Sequence, residues 1–106
     1  KLHIRGSHEN LGEAVPRGFL RVITGDRPQA VREGSGRLEL AEWMASEKNP
    51  LTARVLVNRI WKHHFGAGLV RSADNFGRMG EAPAHPELLD WLASQFVAGN
   101  WSIKEL

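Results

Sequence analysis

NPLTARVLVNRIWKHHFGAGLVRSADNFGRMGEAPAHPELLDWLASQF, residues 49–96, joins two amphipathic helical patterns through a glycine-rich polar segment. Asn49 is a helix-capping type, and Pro50 follows at the first helical position, where a missing N–H costs nothing and the fixed φ is already helical. Gly66 is free to take the left-handed conformation that ends a helix, so a helix is predicted over 50–65. Within it Ala53, Leu56, Val57, Ile60, Trp61 and His64 have the helical spacing of a core stripe. Leu51, Val55 and Phe65 fall outside the stripe, which makes the helix apolar nearly all round and predicts a central position. Arg59, Lys62 and His63 take the remaining solvent-facing strip. The next helix is predicted to start near Pro86, to bury Leu88, Leu89, Leu92 and Phe96, and to stop around Gly99.

Upstream of Asn49, a helix is expected from Ser35 as N-cap to about Glu47, with Leu38, Leu40, Ala41, Met44 and Ala45 on one side. Residues 2–5 read as a short strand and 19–23 as a weak strand or extended segment; 25–36, with Pro28 and several glycines, reads as a linker. At the other end, Ser102 and Glu105 have capping-box spacing, and Trp101 with Leu106 has the spacing of a hydrophobic staple. A fourth helix is therefore expected to begin as the sequence stops, and the chain reads as a piece of a longer protein. The fold expected is mainly α: a small three- to four-helix domain over 37–106, preceded by an irregular or short-strand segment over 1–36, with a long polar loop between helices 2 and 3.

The 106 residues are 42% apolar and 25% charged, which suits one small core. A net charge of +2, from 14 Lys and Arg against 12 Asp and Glu, is too small to argue for nucleic acid by field alone. With no cysteine, disulfides, thiolate metal sites and covalent haem attachment are excluded within this sequence. No apolar run approaches the length of a membrane-spanning helix.

The candidate polar network is Arg54, Asn58, Arg59, Asp74, Asn75 and His85. Arg54 and Asn58 lie one turn apart among the apolar neighbours Leu51, Val55, Trp61 and Phe65. The segment 66–85 is long for a structureless connection and must satisfy its own backbone groups. Asn58 is therefore expected to bond loop backbone, and Arg54 or Arg59 to pair with Asp74, with a ligand or active-site role as the alternative. No metal site is assigned. His63 and His64 point about 100° apart on a helix and do not share a metal from one face. His64 reads as a core histidine, and His85 is expected on the buried side of the third helix. The oxygens around Asp74 lack calcium-loop spacing. Glu81, Glu87 and Asp90 read as solvated carboxylates rather than a glycosidase pair. Trp43, Trp61, Trp91 and Trp101 serve most simply as core or interface.

Through RGSHENLGEAVPRGF (5–19), SGRLELAEWMASEKNPLTARVLVNRIWKHHFGAGLVRSADNFG (35–77), HPELLDWLASQF (85–96) and NWSIKEL (100–106), the chain resembles the C-terminal domain of unknown function of planctomycete-type proteins that also carry a cytochrome-c-like domain. The resemblance implies an exported, extracytoplasmic bacterial protein of many domains, with no established activity for this part. The haem of such proteins belongs to a separate domain, so no cofactor is expected here. One departure is Ala84, where the family usually has Ser or Thr; a hydroxyl there would complete a capping box with Glu87, worth ~1 kcal/mol.

Three functions follow as expectations. The first is a non-catalytic structural or interaction module whose partners are other domains of the parent chain, meeting them through Trp43, Trp91 and the fourth helix. The second is part of a catalytic domain, with a pocket around Arg54, Asn58, Asp74 and His85 acting on a small molecule or polysaccharide. The third is helix-turn-helix nucleic-acid binding through Arg59, Lys62 and His63, which the long connection and the acidic third helix disfavour.

Overall fold

In the computed structural model, residues 1–25, 31 and 34–106 are described. The fold is mainly α, with helices α1 (Arg21–Thr24), α2 (Arg37–Ala45), α3 (Thr52–Phe65) and α4 (Pro86–Ala98). The chain divides into two compact units, Lys1–Glu42 and Trp43–Leu106, and the core described below lies in the second.

In the first unit, the strand expected over 2–5 is reduced to an isolated antiparallel bridge between His3 and Leu11 and a 3-10 turn, Ile4–Gly6. Residues 19–23, expected to be extended, instead run into the single turn of α1, where the Thr24 N–H and hydroxyl both reach the Leu20 carbonyl. Most of the linker expected over 25–36 falls outside the described residues. Gly36, left-handed at φ 77, rather than Ser35, precedes α2: its carbonyl accepts the first helical bond, from Leu40 N. No residue of α2 is buried, and Leu38 and Met44 are 69% and 49% exposed.

α3 begins at Thr52, two residues after the expected Pro50, and Asn49 still serves its start. Asn49, itself buried, accepts hydrogen bonds at Oδ1 from Leu51 N (3.0 Å) and Thr52 N (3.4 Å), satisfying donors that the first turn leaves open. At the other end Gly66, at φ 83, donates to the Lys62 carbonyl. The side that α3 buries differs from the expected one. Ala53, Val57 and Asn58 are buried and Trp61 is half-buried, whereas Leu56, Phe65 and His64 are exposed. At 100° per residue the covered arc is turned about 60° from the predicted stripe, toward Arg54 and Asn58. The helix is thus covered on one side rather than central, and His64 is not a core histidine.

The core is Ala53 and Val57 of α3, Leu69 and Val70 of the loop, and Leu89, Ala93 and Phe96 of α4. Ala53 and Ala93 keep the facing surfaces shallow where α3 meets α4, and Trp61, Phe76, Leu88, Leu92, Val97 and Trp101 close its edges. α4 ends in a Schellman arrangement: Trp101 N donates to Phe96 O (2.9 Å) and Asn100 N to Val97 O (3.0 Å). The left-handed turn falls on Asn100 (φ 53) and continues at Trp101 (φ 61), not on Gly99, whose φ is -78. Trp101 then stacks edge-on against Phe96, ring centroids 5.3 Å apart, which supplies the apolar contact that accompanies this cap. The capping box expected at Ser102 and Glu105 is not formed. Glu105 N and Leu106 N reach the Ser102 backbone carbonyl instead, making a turn rather than a fourth helix.

Candidate functional site

Asn58 has no solvent exposure and sits on the α3 face that meets the loop. Its Nδ2 donates to Val70 O (3.0 Å) and its Oδ1 accepts from Val70 N (2.8 Å). One side-chain amide thereby satisfies both polar groups of a buried residue, in the way a neighbouring strand would. Such a pairing needs the chain to pass close by. Gly68 makes this possible, because a Cβ there would stand 2.9 Å from both amide atoms of Asn58 and 2.6 Å from Val70 O.

The rest of segment 66–85 is stitched to itself. Ser72 Oγ donates to Asn75 O (2.9 Å) and accepts from Glu81 N (2.8 Å), while Asn75 Oδ1 accepts from Gly77 N (3.0 Å). Gly80 lies so tightly against the Asn75 carbonyl that a Cβ would overlap it. Ala84 N donates to Leu69 O (2.8 Å), tying the segment's end back to its start. Irregular backbone is thereby pinned by turns and side-chain hydrogen bonds rather than by a strand.

The structure separates the candidate residues into pairs. Arg59 Nη2 lies 3.4 Å from Asp74 Oδ1, a contact in which both side chains are largely solvated. Arg54 turns away from the loop, donating from Nε to Asp90 Oδ1 (2.6 Å) and from Nη1 to Pro50 O (2.6 Å). The Asp90 carboxyl is held below its ordinary pKa by the Arg54 hydrogen bond, opposed by desolvation and aided to a lesser degree by the guanidinium charge. Asn75 is spent on its own turn. His85 is exposed and precedes the first turn of α4, contrary to the buried placement expected of it. Ala84 stands one residue before that cap, so a hydroxyl at 84 would not occupy the capping position.

Asp90, Ser72 and Gly68 were absent from the network predicted by sequence. The Arg54–Asp90 partnership links residues 36 apart on different helices and has no local signal. Gly68 has one in retrospect, since a glycine two residues from a helix-terminating glycine calls for a reason of its own. A cleft of about 370 Å³ opens beside the Arg54–Asp90 pair, with Pro50, Ala53, Ala93 and Val97 among its lining residues. Among the described residues no group of His, Asp and Glu is placed to hold a metal ion, and no helix is long and apolar enough to cross a membrane.

The outer surface of this unit is uneven in charge. Lys62, Arg71 and Arg78 are exposed and in no ion pair among the described residues. Phe65 and Met79 are 67% and 89% exposed. Phe65 leans on Trp61, their ring centroids 4.3 Å apart.

The family described as "Protein of unknown function (DUF1553)" matches residues 36–106. No curated protein and no solved structure matches the chain.

Proposed function

The chain belongs to that family, and on this premise we propose that it serves as a non-catalytic structural or interaction module within a larger, exported protein. One observation carries the reading: Arg54, Asn58 and Asn75, half of the candidate network, are engaged in holding helix and loop together. Asn58 pairs with both polar groups of Val70, Asn75 Oδ1 accepts from Gly77 N in its own turn, and Arg54 donates to Asp90 and to the Pro50 carbonyl. Asn58, buried with both ends of its amide bonded, has no surface to offer a substrate. The extracytoplasmic location and the other domains of the parent chain as partners are part of the proposal and rest on the resemblance.

The catalytic alternative finds its support in the cleft beside Arg54 and Asp90, which is large enough for a small ligand. One experiment separates the two readings. The chain and the remainder of its parent protein are produced separately and mixed, with association read by calorimetry; a complex of about 10 µM affinity or tighter is expected. The module reading fails if no association is found. It fails also if Arg54→Ala and Asp90→Ala abolish an activity of the parent while association and helicity are unchanged.

A further inference from the structure

Deepening the module reading, on which this inference rests, we propose that the C-terminal half of α3 and the loop packed on it form a docking face for an acidic segment of a partner protein. Apart from Glu47 and Lys104, the charges of this unit fall into a basic stretch followed by an acidic one. Between Lys48 and Arg78 the cations are Lys48, Arg54, Arg59, Lys62, Arg71 and Arg78, and the sole carboxylate is Asp74; Glu81, Glu87, Asp90 and Glu105 all follow. Two of the cations are already neutralised, Arg54 by Asp90 and Arg59 by Asp74. Lys48, Lys62, Arg71 and Arg78 are left exposed with no ion pair among the described residues, and the last three belong to the C-terminal half of α3 and the loop. The helix dipole gives a reason for a cation at Lys62, in the last turn of α3. It gives none for Arg71 and Arg78, which lie in the loop.

Lys62, Phe65 and Arg71 lie where the loop meets the helix, and Arg78 and Met79 extend this basic stretch along the loop. Lys62 is one turn from Arg59, and Phe65 one turn from Lys62. Arg71 is held between Val70, bonded to Asn58, and the stretch leading to Asp74, paired with Arg59, so it lies alongside the same part of the helix. The cations are interleaved with exposed apolar side chains, Phe65 beside Lys62 and Met79 beside Arg78. The loop is ordered by its own hydrogen bonds before any partner arrives, which removes an entropic cost of binding. Aspartate and glutamate complement the cations, and apolar side chains between them complement Phe65 and Met79. The three cations on this face that make no ion pair among the described residues are too few to neutralise a run of phosphates, so a duplex is disfavoured.

The probe is a fluorescein-labelled peptide repeating Glu-Asp-Leu-Glu, followed by anisotropy against the 106-residue chain. Its competitors are heparin and a short DNA duplex. The test variant is Lys62→Glu/Arg71→Glu/Arg78→Glu, with the milder triple alanine set in case the reversal perturbs folding; Lys1→Glu/Lys48→Glu/Lys104→Glu, at exposed positions elsewhere, is the charge-matched control. Affinity is expected to fall roughly tenfold or more in the test variants and to change little in the control. Phe65→Ala/Met79→Ala should weaken binding without altering its salt dependence. Equal binding by test and control variants, no binding of the peptide, or tighter binding of heparin or duplex than of peptide would each overturn the proposal. If the triple variants still associate with the remainder of the parent, the module reading stands and this face is rejected.

Discussion

Replacing Asn58 by alanine removes the one side chain that serves both polar groups of Val70. Val70 is 2% exposed and Asn58 not at all, so neither the N–H nor the carbonyl of Val70 regains water without opening the core. Each buried group left unpaired costs ~1–3 kcal/mol. The better helix propensity of alanine returns about half a kcal/mol, giving a net loss of roughly 2–5 kcal/mol. That is a large share of the ~5–15 kcal/mol by which domains of this size are stable. Urea unfolding followed by tryptophan fluorescence reports it directly, because Trp61 and Trp101 pack against the same core. Exposed Lys62→Ala is the control and should lose less than about 0.5 kcal/mol. Asn58→Asp sharpens the test. As a carboxylate it accepts from Val70 N but opposes Val70 O, and burial raises its folded pKa. A raised folded pKa in an acid makes stability fall as pH rises, so this variant should be more stable near pH 4 than near pH 7. If Asn58→Ala loses no more than Lys62→Ala, or Asn58→Asp shows no such pH dependence, the amide does not hold the loop and the argument fails.

Gly68→Ala should cost at least ~1–3 kcal/mol by overpacking against the Asn58 amide and Val70 O; in the Asn58→Ala background part of that cost should vanish, which a double-mutant cycle in urea would measure. Asn100→Gly should raise stability by up to ~1 kcal/mol, since φ 53 suits glycine, whereas Asn100→Val should lower it; thermal melts that reverse this order would contradict the left-handed cap. Arg54→Ala should cost no more than ~1 kcal/mol, because the Asp90 side chain is 57% exposed and solvent screens the pair. The folded pKa of Asp90 is lowered, so the pair's contribution is present above the unfolded carboxylate pKa and is lost as pH falls through the folded value. NMR titration of the Asp90 carboxyl carbon should accordingly show its midpoint rise in Arg54→Ala.

The limits of α3 and α4 were legible in the sequence because their signals act within a few residues. Asn49 reaches only to Leu51 and Thr52, Gly66 only to Lys62, and Pro86 pre-sets its own φ. The need for a side chain to satisfy segment 66–85 was also legible, since irregular backbone beside a core has to be paired with something. Which side of α3 would be covered was a tertiary matter. The helix offers apolar residues nearly all round, so its periodicity does not choose among arcs, and the passage of Val70 across Asn58 made the choice. The choice of Asp90 for Arg54, leaving Asp74 to Arg59, likewise depended on where α4 lay. At the end of α4, Gly99 and Asn100 both tolerate the left-handed turn, and placing it at Asn100 lets Trp101 land on Phe96. In each case local chemistry allowed several outcomes of similar free energy, and burial of apolar surface between distant parts of the chain selected one.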